Sequence, residues 1–400
     1  MSSAIAVQPR LGPLDPHPRS GHWRQEPGFG VYVHIPFCLH RCHYCDFNAY
    51  EGQDALHGSY VEALVREIES WPGVTRPPTS IFFGGGTPSL LHSTQLARVL
   101  NAITGRMGIA ADAEVTIEVN PETVDEAAFV ALLEAGFRRF SVGVQSLSHG
   151  VLQGLGRRHG PEVALRALRA ARGAGVADLN VDLIYGSPWE RLEDWRATVS
   201  GVLDLVPEHI SAYALTVEEG TPLARYVASG SVPDVDGDVQ AERHSVAQLL
   251  LEAAGYERYE ISNFALPRRA SRHNVLYWSA GDYLGFGAGA HGHVAGRRWW
   301  TLRLPRTYIE AVEYGRPTEA GAETLGDDAR VGEALMLGLR LTGGVDLGGL
   351  RARYGEEALA SRDTTFLDLV ERGLLVRDGD RVALAPGATL VANEALCALL

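Results

Sequence analysis

A chain of 400 residues with 46% hydrophobic and 21% charged residues can bury a large core and has room for two or three domains. Its net charge of -13 argues against broad binding to nucleic acid or to anionic membranes. Every one of the 36 residues in the Lys+Arg count is arginine, which excludes lysine Schiff-base chemistry and any phosphate loop ending in Gly-Lys-Ser/Thr.

The first stretch, 1–28, carries five prolines and few large apolar residues, and reads as a flexible N-terminal extension. It holds no apolar run long enough for a signal peptide. Nothing later approaches the roughly 18 apolar residues of a membrane span. A cytoplasmic protein, with at most peripheral membrane contact, is the expectation, and a reducing compartment suits its free thiols.

From Gly30 short β-rich apolar runs recur: GVYVHI from Gly30, TSIFFGG from Thr79, EVTIEVN from Glu114, RFSVGVQ from Arg139, DLNVDLIYG from Asp178 and HISAYALTV from His209. Between them SYVEALVREIESW, STQLARVLNAITG, DEAAFVALLEAG and PEVALRALRAARGAG have helical periodicity, and many of these end in glycine. Six strand–helix units predict an α/β fold with parallel strands under helices, in residues 29–300. An open, partial (β/α)6 barrel and a doubly wound sheet both fit the rhythm, and the barrel is the expected form.

The chain changes character after about Trp300. Helices are predicted in ARVGEALMLGLRLTGG, LGGLRARYG, EEALASRDTTFLDLVERG and ATLVANEALCALL, with a hairpin in GLLVRDGDRVALAP. Residues 301–400 therefore read as a small, mainly helical, winged-helix-like C-terminal domain. On so acidic a chain it serves packing or partner recognition rather than DNA binding.

Chemistry gathers at the ends of the β-rich runs. Cys38, Cys42 and Cys45 form a C-x3-C-x2-C loop directly after the first strand. Structural zinc takes four protein ligands, so zinc would have to recruit His34, His40 or His43. A [4Fe–4S] cluster on three thiolates leaves one iron open to a small molecule instead. Gly84, Gly85 and Gly86 precede Thr87 and Pro88 and let a ligand approach the backbone. Glu118 and Asn120 end the third strand, Gln145 the fourth, and Asp182 and Tyr185 the fifth, where (β/α) barrels place their sites. Arg157 and Arg158 follow the fourth strand, placed to neutralise a ligand carboxylate. Cys397 lies on an apolar helical face and reads as a buried structural cysteine rather than a fourth cluster ligand.

Together YVHIPFCLHRCHYC, GGGTPS, VGVQS and DLIYGSP resemble the radical S-adenosylmethionine (SAM) proteins, specifically their coproporphyrinogen-oxidase-like branch, from about Gly30 to the C-terminus. The resemblance implies a [4Fe–4S] cluster on Cys38, Cys42 and Cys45, its open iron chelated by the amino and carboxylate groups of SAM. It further implies Tyr32 and Tyr44 beside the SAM, Gly85, Gly86 and Thr87 at its amino end, and Glu118, Gln145, Arg157 and Asp182 around the rest.

Two groups of that branch must be separated. The oxygen-independent coproporphyrinogen III oxidases commonly continue the loop as C-x3-C-x2-C-x-C, whereas position 47 here is Phe47. The haem-chaperone group continues with an aromatic and carries H-N-x-x-Y-W, present here as His273, Asn274, Tyr277 and Trp278. That resemblance implies haem b as cargo, His273 as its axial ligand, delivery to acceptor haemoproteins such as those of respiration, and a homodimer. His291 and His293 are further ligand candidates with less support. The bland reading of His273 and Asn274 is that they cap or cross-link the last barrel segment. The competing expectations are a coproporphyrinogen III oxidase, which would be a radical SAM oxidoreductase, and a zinc-stabilised binding module.

Overall fold

The computed structural model describes residues 28–400, so the expected extension over 1–28 lies outside the described residues except for Gly28. All six β-rich runs are strands: β1 (Phe29–Ile35), β2 (Ser80–Gly85), β3 (Glu114–Val119), β4 (Arg139–Gln145), β5 (Leu179–Tyr185) and β6 (His209–Ala214). Each pairs in parallel with the next. The helices between them are α1 (His57–Ser70), α2 (Ser93–Met107), α3 (Glu126–Glu134), α4 (His149–Gly154), α5 (Pro161–Gly173) and α6 (Leu192–Leu203), with α7 (Pro222–Ala228) and α8 (Gly237–Ala253) after β6.

The sheet then grows beyond six strands. Short β7 (Glu257–Arg258) and β8 (Asn263–Ala265) add antiparallel to the β6 edge. Strand β9 (Asp282–Phe286) returns parallel to β1, and β10 (His291–Val294), β11 (Arg297–Thr301) and β12 (Glu319–Thr324) follow it as antiparallel neighbours. The order is β12-β11-β10-β9-β1-β2-β3-β4-β5-β6-β8-β7, an open sheet whose two edges do not pair. It is a partial barrel rather than a doubly wound sheet, since the strands add in sequence order from β1 to β6.

The two faces of this sheet have opposite chemistry. On the outer face Val31, Val33 and Ile35 are fully buried against Tyr60, Leu64 and Ile68 of α1 in the main core. Each such aliphatic side chain contributes about 1.5–3 kcal/mol on burial. Alternate residues turn inward, and many of these are polar: Thr116, Glu118, Ser141, Asn180, Asp182, His209 and Ser211. They satisfy one another across strands. Asn180 Nδ2 donates to Asp182 Oδ1 (2.8 Å) and Ser141 Oγ (2.6 Å), while Asn180 Oδ1 is hydrogen-bonded to His209 Nδ1 at 2.6 Å. His209 Nε2 reaches the Tyr259 hydroxyl (2.9 Å), to which Asn274 Nδ2 also donates (2.9 Å).

Asn274 lies on α9 (Arg272–Trp278), which sits at the N-terminal ends of β1 and β2. Its first turn is held by Ser271 Oγ, which accepts from Asn274 N, and by Glu114, whose carboxylate accepts from the N–H groups of Arg272 and His273. After α10 (Pro305–Glu313) and β12, the chain builds a second core. It comprises α11 (Asp327–Gly338), β13 (Val345–Asp346), α12 (Leu347–Tyr354), α13 (Asp363–Glu371), the hairpin β14 (Leu375–Asp378) and β15 (Arg381–Leu384), and α14 (Ala392–Ala398). The small sheet runs β13-β15-β14, and the helix–strand–helix–helix–hairpin order is that of a winged helix. Composition changes near Trp300, but the main sheet continues to Thr324, because β11 and β12 carry Arg and Glu pairs instead of an apolar run. The second core draws on Val331, Leu335, Leu347, Phe366, Leu369, Val382 and Leu396, whereas Cys397, expected to be buried, is exposed because α14 packs through Ala392, Ala395 and Leu396 instead.

Candidate cluster and cofactor site

A cavity of about 360 Å³ opens at the C-terminal ends of β1 to β6. Cys38, Cys42 and Cys45 line one end of it. Among the expected site residues, Tyr44, Gly85, Gly86, Thr87, Glu118, Gln145, Arg157 and Asp182 line it too. The strand ends thus gather in space what is spread over some 150 positions of sequence.

The thiols are held from several directions. Thr87 Oγ1 donates to Cys38 Sγ at 3.6 Å, and Arg157 Nη1 to Cys42 Sγ at 3.8 Å. Burial pushes the Cys38 thiol up to about 11 and raises Cys45 as well. Thiols so buried ionise readily only when a cationic group shares the site. Arg157 Nη2 is anchored on Gly143 O at 2.6 Å, while its buried Nε has no partner. An orphaned guanidinium donor on a side chain that lines the cavity and bonds Cys42 fits an anionic cluster–cofactor assembly. Among the described residues no three His, Cys, Asp or Glu side chains converge on a single-ion site. The three thiols share the lining of one end of the cavity.

The glycine loop is shaped by close approach. A Cβ on Gly86 would fall 2.6 Å from Phe37 O and 3.0 Å from Cys38 Sγ. Gly85 has φ 115°, and a Cβ there would meet the His34 ring at 2.5 Å. Beside it, Glu118 Oε2 accepts from Gly85 N at 3.0 Å. Burial first, and then repulsion from Asp182, push Glu118 up to about 8. Asp182 is raised by burial too, although Ser141 Oγ (2.7 Å) and Asn180 donate to it. Two carboxyl groups whose burial calls for positive charge suit a ligand ammonium. At the end of β4, Gln145 follows a register shift and has φ 68°, a strained conformation for this residue that turns its side chain into the cavity.

Two expected site residues are placed elsewhere. Tyr32 does not line the cavity; its hydroxyl is hydrogen-bonded to His34 Nδ1 at 2.9 Å, and His34 Nε2 to Asn48 O at 2.9 Å. It therefore braces the cysteine loop from behind. His273 lies at the opposite end of the barrel, 2% exposed, its Nδ1 hydrogen-bonded to Ser80 Oγ (2.9 Å) and its Nε2 to the Tyr277 hydroxyl (2.9 Å). Its ring stacks on Phe82 at 5.3 Å. Both nitrogens are engaged, so in this fold it presents no lone pair to an iron, and with Asn274 it cross-links the barrel floor.

Several cavity residues escaped the sequence reading: Arg41, Ser141, Gly143, Tyr213, Thr216 and Glu218. Ser141 and Gly143 had a signal, since they stand four and two places before Gln145 on the same strand. The others lie on loops or strand tips without a pattern.

Comparison with known proteins agrees with this geometry. The Radical SAM superfamily pattern matches residues 32–200, and the HemN C-terminal domain pattern matches residues 325–391. Heme chaperone HemW of Mycobacterium tuberculosis is 40% identical over 377 residues, covering 93% of this chain and 95% of that protein. The chain belongs to the HemW family. HemW of Bacillus subtilis is 34% identical over 92% of this chain and 98% of its own, and HemW of Escherichia coli 40% over 74% and 79%. Among solved structures, coproporphyrinogen III oxidase (HemN) of Escherichia coli superposes with a TM-score of 0.80 over 95% of this chain and 92% of its own, at 21% identity, which shows the shared fold. As a radical SAM protein, this HemW-family chain has a fold that implies a [4Fe–4S] cluster and SAM, and the cavity's donor set fits both. Among the described residues no helix is long and apolar enough to cross a membrane.

Proposed function

We propose that this protein binds haem and hands it to acceptor haemoproteins, with those of respiration foremost, from the cytoplasm and as a homodimer. The reading is carried by its relation to proteins named heme chaperone HemW along 93% of its length. Phe47 supports it: it stands 60% exposed at the cavity rim, where decarboxylating relatives carry another cysteine.

In this reading Cys38, Cys42 and Cys45 hold the cluster, Thr87 and Arg157 stabilise two of its sulfurs, and Gly85, Gly86 and Glu118 receive the SAM ammonium. When bound, the cluster supplies an iron with an open coordination position and a store for one electron. Arg157 also offers its free Nε–H to the ligand carboxylate, and Gln145 and Asp182 meet the remaining polar groups. Tyr44 closes the apolar side, packed with Val151, Leu155 and Ile184.

Two assays decide between this and a coproporphyrinogen III oxidase. Anaerobically reconstituted protein should take up one haem per chain and transfer it to an apo-haemoprotein. With coproporphyrinogen III, SAM and a reductant it should form no protoporphyrinogen at catalytic turnover. Turnover in the second assay would establish the oxidase and end the chaperone reading.

A further inference from the structure

A cavity of about 360 Å³ is near the lower end of the roughly 300–1,000 Å³ of single-ligand sites, so a cluster and SAM leave no room in it for a macrocycle. Haem needs another surface, with an open imidazole, a flat apolar platform and a cation for its carboxylates. Among the described residues, His40 and His291 are the histidines whose rings carry no hydrogen bond or ion pair. His40 lines the cluster cavity and competes with the cluster for space.

His291 stands on β10, on the inner face of the sheet and clear of that cavity. It is exposed, and its cross-strand partner is Trp300 of β11, with ring centroids 6.2 Å apart and planes 31° from parallel. The neighbouring strands are flattened by glycine. A Cβ on Gly285 of β9 would fall 1.9 Å from His291 O, and one on Gly321 of β12 would fall 2.4 Å from the Trp300 ring. Trp300 therefore lies across the backbone of Gly321, and the residue flanking His291 on the other side is also a glycine. Partial desolvation at its base, then the guanidinium groups of Arg303 and Arg298, hold His291 below the ordinary histidine range. Arg298 is taken by Glu323 (2.7 Å) and Glu333 (2.8 Å). Arg303 is exposed and, among the described residues, has no carboxylate partner.

We infer that His291 is the axial ligand of the haem iron, with Trp300 set edge-on against the porphyrin face and Arg303 paired with a propionate. This rests on the haem-binding reading above and gives it a location. The coordination bond forms from a neutral imidazole nitrogen to iron, with no proton or electron exchanged.

The test titrates hemin into the full-length chain and follows the Soret band. Wild type should bind with a histidine-ligated spectrum. His291→Ala should shift the band and weaken binding at least ten-fold, and free imidazole should restore the band in His291→Gly. Arg303→Ala and Trp300→Ala should weaken binding several-fold with the band unmoved, and His273→Ala and His40→Ala should match wild type. Circular dichroism and melting temperature check that each variant is folded. Wild-type binding with an unchanged His291→Ala spectrum, or loss of the band in His273→Ala or His40→Ala alone, overturns the assignment and leaves the chaperone reading standing. Failure of wild type to bind hemin overturns both.

Discussion

Arg157 is clamped between two parts of the site, its Nη2 2.6 Å from Gly143 O and its Nη1 3.8 Å from Cys42 Sγ. The backbone carbonyl fixes the guanidinium, and the guanidinium then fixes the charge felt by the thiol. Because a charge-assisted hydrogen bond is worth about 1.5–3 kcal/mol, Arg157→Gln should retain roughly a tenth or less of the cluster affinity that wild type shows. Iron and acid-labile sulfide per chain after dilution into a chelator measure this. Wild-type retention of iron would remove Arg157 from the cluster's support.

Gly86 is a packing requirement with a chemical consequence. Alanine there would drive a methyl against Phe37 O and Cys38 Sγ, and neither backbone nor cluster ligand can yield cheaply. Gly86→Ala should cost about 1–3 kcal/mol in urea unfolding, and its larger effect should be a loop too displaced to hold iron. A folded variant with full iron content would refute the close approach.

Glu118 makes stability depend on pH in an unusual direction. Its folded pKa of about 8 lies above the ordinary 4.5, so the folded chain binds the proton more tightly than the unfolded one. The contribution is complete below about 4.5 and is lost as pH rises through 8. In cofactor-free protein, Glu118→Gln should therefore gain on wild type as pH rises from 5 to 9, read as the difference in melting temperature. Ligand binding should show the mirror image, since only the ionised carboxylate pairs with an ammonium: SAM affinity of wild type should climb between pH 6 and 8.5. Parallel melting profiles for the two proteins would count against the buried carboxyl.

His273 predicts a structural phenotype. Removing its imbedded ring breaks bonds to Ser80 and Tyr277 and opens a cavity against Phe82, which together should cost about 2–4 kcal/mol for His273→Ala. Burial also lowers its pKa to about 3, so it opposes folding as pH falls from 6.5 toward 3, and chemical denaturation at pH 7 and pH 5 should show wild type losing more than His273→Phe. Wild-type stability of the alanine variant would mean the floor does not need the ring.

The parallel core of the fold was legible because β1 to β6 are long β-branched and apolar runs, each followed by an amphipathic helix. Strands β9 to β12 were not, since DYLGF, HGHV, RRWWT and EAGAET are short and rich in glycine or charge. They pair by cross-strand salt bridges and ring contacts that no local pattern announces. The cluster loop and most of the cofactor shell followed from strand-end residues and resemblance. Tyr32 and His273 did not land on the cavity, because a motif records that residues belong together but not which face of the barrel they serve. His291 was noticed as a histidine in sequence; its freedom from partners exists only once Trp300 and the two glycines are beside it.

The hydrogen-bonded column inside the barrel has a consequence for how the molecule opens. Asp182, Asn180, His209, Tyr259 and Asn274 tie β5, β6 and α9 into one chain of side chains, the first at the cavity and the last on the barrel floor. Losing any strand of that set strands buried donors and acceptors on the others. Amide protons of β4 to β6 should then exchange with solvent as one late, cooperative unit, whereas the β10–β12 extension, hung on short ladders at the sheet's edge, should exchange early and separately. The end of the sheet that carries His291 is tied to the segment after Cys45 through Asn48, whose Nδ2 donates to Ala288 O and Arg303 O at 3.0 Å, so movement there is passed to the cysteine loop.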